Sequence, residues 1–123
     1  MGLFNRFNRN MMEMMSVRGI RYINAVKPGK ASGLVAQVYI QMERDFMIAG
    51  AFTIHSPHAE LLAAVWSIER ETLIAGEHVP RSVKETIASA VSVTNNCPYC
   101  IDAHSMMLHS LTNADIVKSV REG

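Results

Sequence analysis

The chain is organised around one ten-residue stretch, NNCPYCIDAH at residues 95–104. This stretch contains both cysteines of the chain, Cys97 and Cys100, followed by His104. Positions i, i+3 and i+7 share one face of a helix, so a helix here would present the three side chains as a single stripe. Two thiols beside a titratable base are typical of a redox site.

A short turn connects this stretch to the segment before it. Residues up to Thr94 show helical spacing of apolar residues, and Asn95-Asn96 is a turn signal. Two helices joined by so few residues are expected to form an antiparallel hairpin. Glu85 lies about 10 residues before the turn and His104 about 8 after it, so at ~1.5 Å per residue they are nearly level. The pattern therefore predicts that Glu85 reaches across to orient His104 and make it more basic.

The two cysteines are expected in the first turn of the second helix of the hairpin. Asn96 or Cys97 would be the N-cap, and Pro98 suits the first helical position because it has no N–H. Free backbone N–H groups and the helix dipole stabilise a thiolate there. His104 follows Cys100 by four residues, a spacing that brings side chains together. The predicted proton relay therefore runs through Glu85, His104, Cys100 and Cys97.

The remaining sequence also shows helical patterns and no alternating strand pattern, which predicts an all-α fold. We expect a single-domain bundle of about six helices, with residues 1–29 as an N-terminal amphipathic helix and linker and residues 30–123 as the helical domain. The first helix is indicated by Phe4, Phe7, Met11 and Met14 at helical spacing. The other helices are predicted at about Ser32 to Ala49, Pro57 to Ala75, Arg81 to Thr94, Cys97 to Ser110, and Thr112 to Gly123.

Apolar periodicity predicts the core face of each helix, and good capping residues predict the helix starts. Ser56 and a capping box from Thr112 to Asp115 are the expected starts of the third and sixth helices. The second helix is expected to bury Val35, Val38, Met42 and Phe46. The third is expected to bury Leu61, Leu62, Val65, Ile68, Thr72 and Leu73, with Trp66 in a packing role. The fourth is expected to bury Val83, Ile87, Ala90 and Val91, with a second, small-residue face of Glu85, Ala88, Ser89 and Ser92.

Composition limits the classes of partner. The net charge of +1 gives no electrostatic basis for binding nucleic acid or a membrane surface, and no apolar run reaches the ~18 residues of a membrane span. Charged residues make up 19% of the chain, below the usual ~25%, so part of the surface is expected to be covered by other subunits. The N-terminus lacks the apolar region of a secretory signal, and we expect a cytoplasmic protein.

Other interpretations of the cysteine pair have distinct requirements. Glutaredoxins share the tetrapeptide CPYC but place it after a β-strand, with a cis-proline further along, and no proline follows Pro98. A c-type haem site needs His immediately after the second cysteine, where this chain has Ile101. Zinc bound by both cysteines, His104 and Glu85 would be a poor tetrahedral set, so no metal or cofactor is expected. Inert, buried cysteines are the structural alternative.

The spacing of Glu85, Cys97, Cys100 and His104 resembles the E-x11-C-x2-C-x3-H motif of the alkylhydroperoxidase D-like family, within the carboxymuconolactone decarboxylase superfamily. The similarity covers roughly residues 30–123. It implies an all-helical fold and assembly into trimers or hexamers. It also implies an enzyme that reduces small hydroperoxides with a dithiol reductant, such as a lipoyl or thioredoxin-like protein; some members reduce a partner peroxiredoxin.

The same resemblance implies a role for each site residue. Cys100 would attack the peroxide, Cys97 would resolve the sulfenic acid by closing a redox-active disulfide, and His104 and Glu85 would relay protons. The best-studied members have a histidine between the cysteines, where this chain has Tyr99, which is no base near neutral pH. Three hypotheses therefore stand. The protein is a hydroperoxide reductase, a thiol–disulfide oxidoreductase or stress-response module with little peroxidase activity, or a structural scaffold with inert cysteines.

Overall fold

The computed structural model describes residues 18–75 and 78–122. The predicted helix around Phe4 to Met14 lies outside these residues, as do Gly76 and Gly123. Within the described ranges all regular secondary structure is helical, which confirms the all-α fold class. The chain divides into two compact units between Glu71 and Thr72, and each is described by itself.

The described part of the first unit, residues 18–71, contains three α-helices. A 3-10 turn at Pro28–Lys30 precedes α1 (Gly33–Asp45), a single turn forms α2 (Gly50–Thr53), and α3 follows (Ala59–Glu69). A π-helical segment, Arg70–Ile74, continues from α3. The predicted third helix, Pro57 to Ala75, therefore changes its hydrogen-bonding pattern at Arg70.

The first unit also differs from the prediction at the end of α1. We expected that helix to reach Ala49 and residues 51–57 to be a loop, but Phe46 leaves helical geometry with φ −152° and ψ −101°. This break brings the Phe46 ring to 6.4 Å from Phe52, whose ring lies edge-on and 5.6 Å from Trp66. Burial of this aromatic cluster favours an early helix end and a new turn at α2.

The predicted core of the first unit is confirmed for α1 except at Phe46, which is half-buried at the end of that helix, and only in part for α3. Ser32 is the N-cap of α1, and Val35, Val38, Tyr39 and Met42 are buried. On α3 the buried side chains are Leu62 and Trp66, whereas Leu61 and Ile68 are exposed. Trp66 has the packing role expected of it, with its indole N–H donating to Gln41 at 3.3 Å.

Ser56 does not cap α3. His58 is the N-cap residue, while the buried Ser56 hydroxyl accepts a hydrogen bond from the Val26 N–H at 2.7 Å. The Val26 carbonyl in turn accepts from the Tyr39 hydroxyl at 2.7 Å, and burial raises the pKa of that phenol. Ser56 is therefore used to fix the segment before α1, because both polar groups of the Val26 backbone need partners when covered.

The second unit contains α4 (Arg81–Thr94), α5 (Pro98–Leu111) and α6 (Ala114–Glu122). Helices α4 and α5 form the predicted antiparallel hairpin. The predicted capping box is corrected: Asn113 caps α6 by accepting from the Ile116 N–H at 3.0 Å. The Thr112 hydroxyl instead donates to the Leu108 carbonyl at the end of α5.

The core face predicted for α4 is wrong. Val83, Ile87 and Val91 are 45%, 57% and 51% exposed, whereas Glu85, Ser89 and Ser92 on the other face are buried. The reason is steric, because small side chains let the backbones of α4 and α5 approach closely. Helix α4 therefore buries a polar face and presents an apolar one to solvent. No helix within the described ranges is long and apolar enough to cross a membrane.

Candidate functional site

The turn between α4 and α5 sets the geometry of the site. Asn96 adopts a left-handed conformation, φ 51°, and its N–H donates to the Val93 carbonyl at 3.0 Å. The Cys97 N–H donates to the Ser92 carbonyl at 3.1 Å. These two bonds form a Schellman motif, in which asparagine is tolerated at the left-handed position. One turn thus ends α4 and positions the first cysteine.

Cys97 is the N-cap of α5, and Pro98 occupies the first helical turn, as predicted. The Cys97 side chain itself makes no capping hydrogen bond at this end of the helix. The backbone N–H groups of the first turn point along the axis toward the N-terminal end of the helix, where the dipole favours negative charge, and both cysteines lie at that end. A thiolate formed at either cysteine would meet this field.

Cys97 and Cys100 are linked by a disulfide, with their Cα atoms 5.3 Å apart. Both residues are half-buried, and Tyr99 between them is exposed. The disulfide therefore lies at the protein surface at the start of a helix.

His104 lies one helical turn beyond Cys100 and contacts Glu85, as the hairpin geometry predicts. Its Nδ1 lies 2.9 Å from Glu85 Oε2, and the carboxylate is 0% exposed. A carboxylate only accepts hydrogen bonds, so a neutral His104 must carry its proton on Nδ1. Its Nε2 then has a free lone pair and can accept a proton.

Arg81 is a further member of the site that the sequence interpretation missed. Its Nε and Nη2 atoms both lie 3.4 Å from Glu85 Oε1, and Nη2 lies 3.8 Å from the Met107 sulfur. The two oxygens of the buried carboxylate therefore face two different side chains, Arg81 and His104. The i, i+4 spacing of Arg81 and Glu85 was the sequence signal that could have revealed the pair.

The buried carboxylate depends on these partners. An ionised group without compensation is costly to bury, so a buried charge is normally paired and hydrogen-bonded. Arg81 supplies the charge and His104 the short hydrogen bond. The arrangement can hold a negative charge beside the histidine and leave that histidine as a proton acceptor.

The structure brings all four predicted site residues into one hairpin. The cysteines are joined to each other and Glu85 is joined to His104, with Cys100 and His104 one turn apart on α5. No group of three histidine, cysteine, aspartate or glutamate side chains within residues 18–75 and 78–122 has the geometry to hold a metal ion.

Comparisons with known proteins show what the segment that carries this site is similar to. The carboxymuconolactone decarboxylase family matches residues 59–114, a range that includes Glu85, both cysteines and His104. An alkyl hydroperoxide reductase of Mycobacterium tuberculosis is 38% identical over 105 residues, which cover 85% of this chain. The match spans 30% of that relative's length. No solved structure matches the chain significantly.

The family match and the similar reductase confirm the resemblance drawn from the spacing of Glu85, Cys97, Cys100 and His104. Residues 59–114 of this chain match the carboxymuconolactone decarboxylase family, the superfamily to which the alkylhydroperoxidase D-like family belongs.

Proposed function

We propose that the protein is a thiol-dependent hydroperoxide reductase whose active site is the disulfide at the start of α5 with the Glu85–His104 pair. The observation that carries the proposal is that the buried Glu85 carboxylate lies 2.9 Å from His104. This histidine follows the disulfide-bonded cysteine pair by one helical turn. The relative named alkyl hydroperoxide reductase supports the choice of substrate class.

The proposed reaction starts from the reduced cysteines. The Cys100 thiolate attacks the distal peroxide oxygen, the O–O bond breaks, and the alcohol leaves with a proton, so Cys100 becomes a sulfenic acid. The Cys97 thiol then attacks the Cys100 sulfur, which forms the disulfide and releases water. A dithiol reductant supplies two electrons and two protons to restore both thiols. In sum, hydroperoxide and dithiol give alcohol, water and a disulfide of the reductant.

His104 has the proton-transfer role in this scheme. With Nδ1 bound by Glu85, its Nε2 accepts the proton of the Cys100 thiol and returns it to the leaving alkoxide. Glu85 fixes the tautomer and stabilises the protonated ring, and Arg81 holds Glu85 in place. No cofactor beyond the disulfide is needed for these steps, and we propose none.

The test is peroxide consumption with dihydrolipoamide as the reductant. We expect turnover in the parent and losses of at least ~100-fold in Cys100→Ser and in His104→Gln, the scale of a lost acid–base group. His109→Gln is the matched control because His109 is an exposed histidine on the same helix. Full activity in Cys100→Ser would contradict the assignment.

Thiol–disulfide exchange is the second candidate function, and the position of Cys97 favours it. An N-cap thiolate accepts hydrogen bonds from the first helical turn, and the neighbouring Tyr99 is exposed. In this case Cys97 is the attacking sulfur and the substrate is a partner's disulfide. Rapid exchange with a dithiol protein together with negligible peroxide turnover would select this function.

We also propose that the protein acts as a homo-oligomer, a trimer or hexamer, in the cytoplasm with a lipoyl or thioredoxin-like reductant. Support for assembly comes from the α4 apolar stripe, defined as Val83, Ile87 and Val91, which is about half exposed. Leu108 is the fully buried apolar side chain in the described part of the second unit. A unit with so little apolar burial of its own gains stability by covering such a stripe.

A further inference from the structure

Ser89 carries a buried hydroxyl for which the described residues offer no partner. It is 1% exposed, and Ser89 Oγ and Ser105 Oγ are the buried side-chain polar atoms without a hydrogen bond in the described part of the chain. A serine in a helix can donate to the carbonyl four residues earlier, and Ser92 on the same helix does so to Ala88 at 2.6 Å. The Ser89 hydroxyl does not use this option.

The hairpin register places Ser89 opposite Cys100. Ser92 is bonded to Cys97 at the turn, and Glu85 is bonded to His104 further along. Ser89 lies three residues before Ser92 and four after Glu85, while Cys100 lies three after Cys97 and four before His104. The two residues are therefore at the same level of an antiparallel pair. Ser89 also shares the buried face of α4 with Glu85 and Ser92.

The oxidation state of Cys100 decides what this hydroxyl can bond. A disulfide sulfur is a poor acceptor, whereas a thiolate accepts a hydrogen bond strongly because it is charged. Reduction breaks the S–S bond and frees the Cys100 side chain to turn toward α4. A donor that is unpaired in the oxidised protein then gains a charged acceptor.

We propose that Ser89 donates a hydrogen bond to the thiolate of Cys100 in the reduced protein and so stabilises it as the nucleophile. The inference deepens the proposed function and depends on it only in that the disulfide is reducible by a dithiol. It also gives the two thiolates different stabilising partners. These are the backbone N–H groups at the start of α5 for Cys97 and the Ser89 hydroxyl of α4 for Cys100.

The experiment uses Ser89→Ala in two measurements made without peroxide. In a Cys97→Ser background, alkylation of Cys100 by iodoacetamide is followed against pH. The pH of half-maximal rate should rise by about one unit, which is a tenfold loss of thiolate at neutral pH. In the protein with both cysteines, reduction by dihydrolipoamide should become about tenfold less favourable, or about 30 mV more negative in potential.

Ser105→Ala is the matched control, because it also removes an unpaired buried hydroxyl but one that is not level with a cysteine. It should leave both measurements unchanged. No shift in Ser89→Ala, or an equal shift in Ser105→Ala, overturns the proposal. If Ser89→Ala does not fold, a crystal structure of the reduced parent decides the question, since Ser89 Oγ must then lie within hydrogen-bonding distance of the Cys100 sulfur.

The outcomes distinguish this inference from the proposed function. If the parent fails to consume hydroperoxide but Ser89→Ala shows both shifts, the proposed peroxidase function is wrong and the hydrogen bond from Ser89 to the Cys100 thiolate is supported. If the parent consumes hydroperoxide but Ser89→Ala shows no shift, the Ser89 hydrogen bond is wrong and the proposed peroxidase function is supported.

Discussion

Glu85 Oε2 lies 2.9 Å from His104 Nδ1, and this contact joins a fully buried carboxylate to a histidine that is partly open to solvent. The bond crosses from α4 to α5, so the proposed proton transfer at the cysteine pair would depend on the packing of the hairpin. It also directs Nε2 of the imidazole away from the carboxylate. The reactivity of the site is therefore expected to respond to changes on either helix.

Glu85→Gln should remove the negative charge at this contact while it keeps the shape of the side chain. The amide can still bond to His104, but it does not stabilise a protonated imidazole, so we expect hydroperoxide turnover to fall by ~100-fold. Steady-state kcat/KM with dihydrolipoamide measures the effect. Glu69→Gln, an end-of-helix change in the first unit, is the control. Activity within twofold of the parent in Glu85→Gln would exclude Glu85 from the relay.

Arg81→Leu should destabilise the fold because it leaves a buried carboxylate without its cation. Breaking a buried pair costs about 3 kcal/mol, and Arg81 is itself partly exposed, so a loss of ~2 kcal/mol in the free energy of unfolding is expected. Urea denaturation provides the measurement. Arg121→Leu removes the exposed pair with Asp102 and should cost at most ~1 kcal/mol. Equal losses in the two variants would contradict a special role for Arg81.

Asp45 should make the free energy of unfolding depend on pH in the acidic range. Hydrogen bonds from Arg44, and then from Arg70 at 2.7 Å, hold the pKa of the Asp45 carboxyl well below its usual range in the folded protein. A pKa lowered on folding contributes stability above the unfolded value of ~3.9, and this contribution is lost as the pH falls below it. Asp45→Asn should therefore be less stable than the parent at neutral pH.

The comparison of Asp45→Asn with the parent is made by urea denaturation across a pH series. The difference in free energy of unfolding between the parent and Asp45→Asn should shrink steadily as the pH falls below about 4. The reason is that protonation of Asp45 removes the same charge from the parent. A constant difference across the series would show that the Asp45 ion pairs are not its cause. Asp102→Asn, at an exposed carboxylate, is the matched control.

Ile87→Lys should lower the oligomeric state if the α4 apolar stripe is the contact between copies. Ile87 is 57% exposed at the centre of the stripe, and a lysine there would have to lose its hydration in the assembled protein. Light scattering after size-exclusion chromatography measures the mass. Ile40→Lys is the control, because Ile40 is an isoleucine on α1 that is 65% exposed. A parent that is monomeric would contradict the proposed assembly itself.

Local chemistry made much of the site predictable from the sequence. The two asparagines, Cys97 as a cap and Pro98 after it all act within a few residues of one another, and the short turn then sets Glu85 level with His104. The relay geometry follows from helix rise alone. These features needed no knowledge of distant parts of the chain.

The errors arise where distant packing decides the outcome. The pattern of Val83, Ile87 and Val91 correctly indicates an apolar face on α4, but periodicity does not reveal whether such a face meets the same chain. Ser56 has the chemistry of a cap, yet a backbone N–H thirty residues away uses it. Phe46 ends α1 early because its ring lies beside Phe52, which in turn packs against Trp66.

The Schellman turn at Asn96 allows the cysteine pair to change oxidation state without loosening the hairpin. The Cys97 backbone is fixed by the Ser92 carbonyl, a bond that does not involve either sulfur. Opening the disulfide therefore frees two side chains and leaves the junction of α4 and α5 in place. Little structure would have to be rebuilt in each round of the proposed reaction, so the rate of disulfide closure should be set by side-chain rotation and thiol chemistry rather than by folding of the loop.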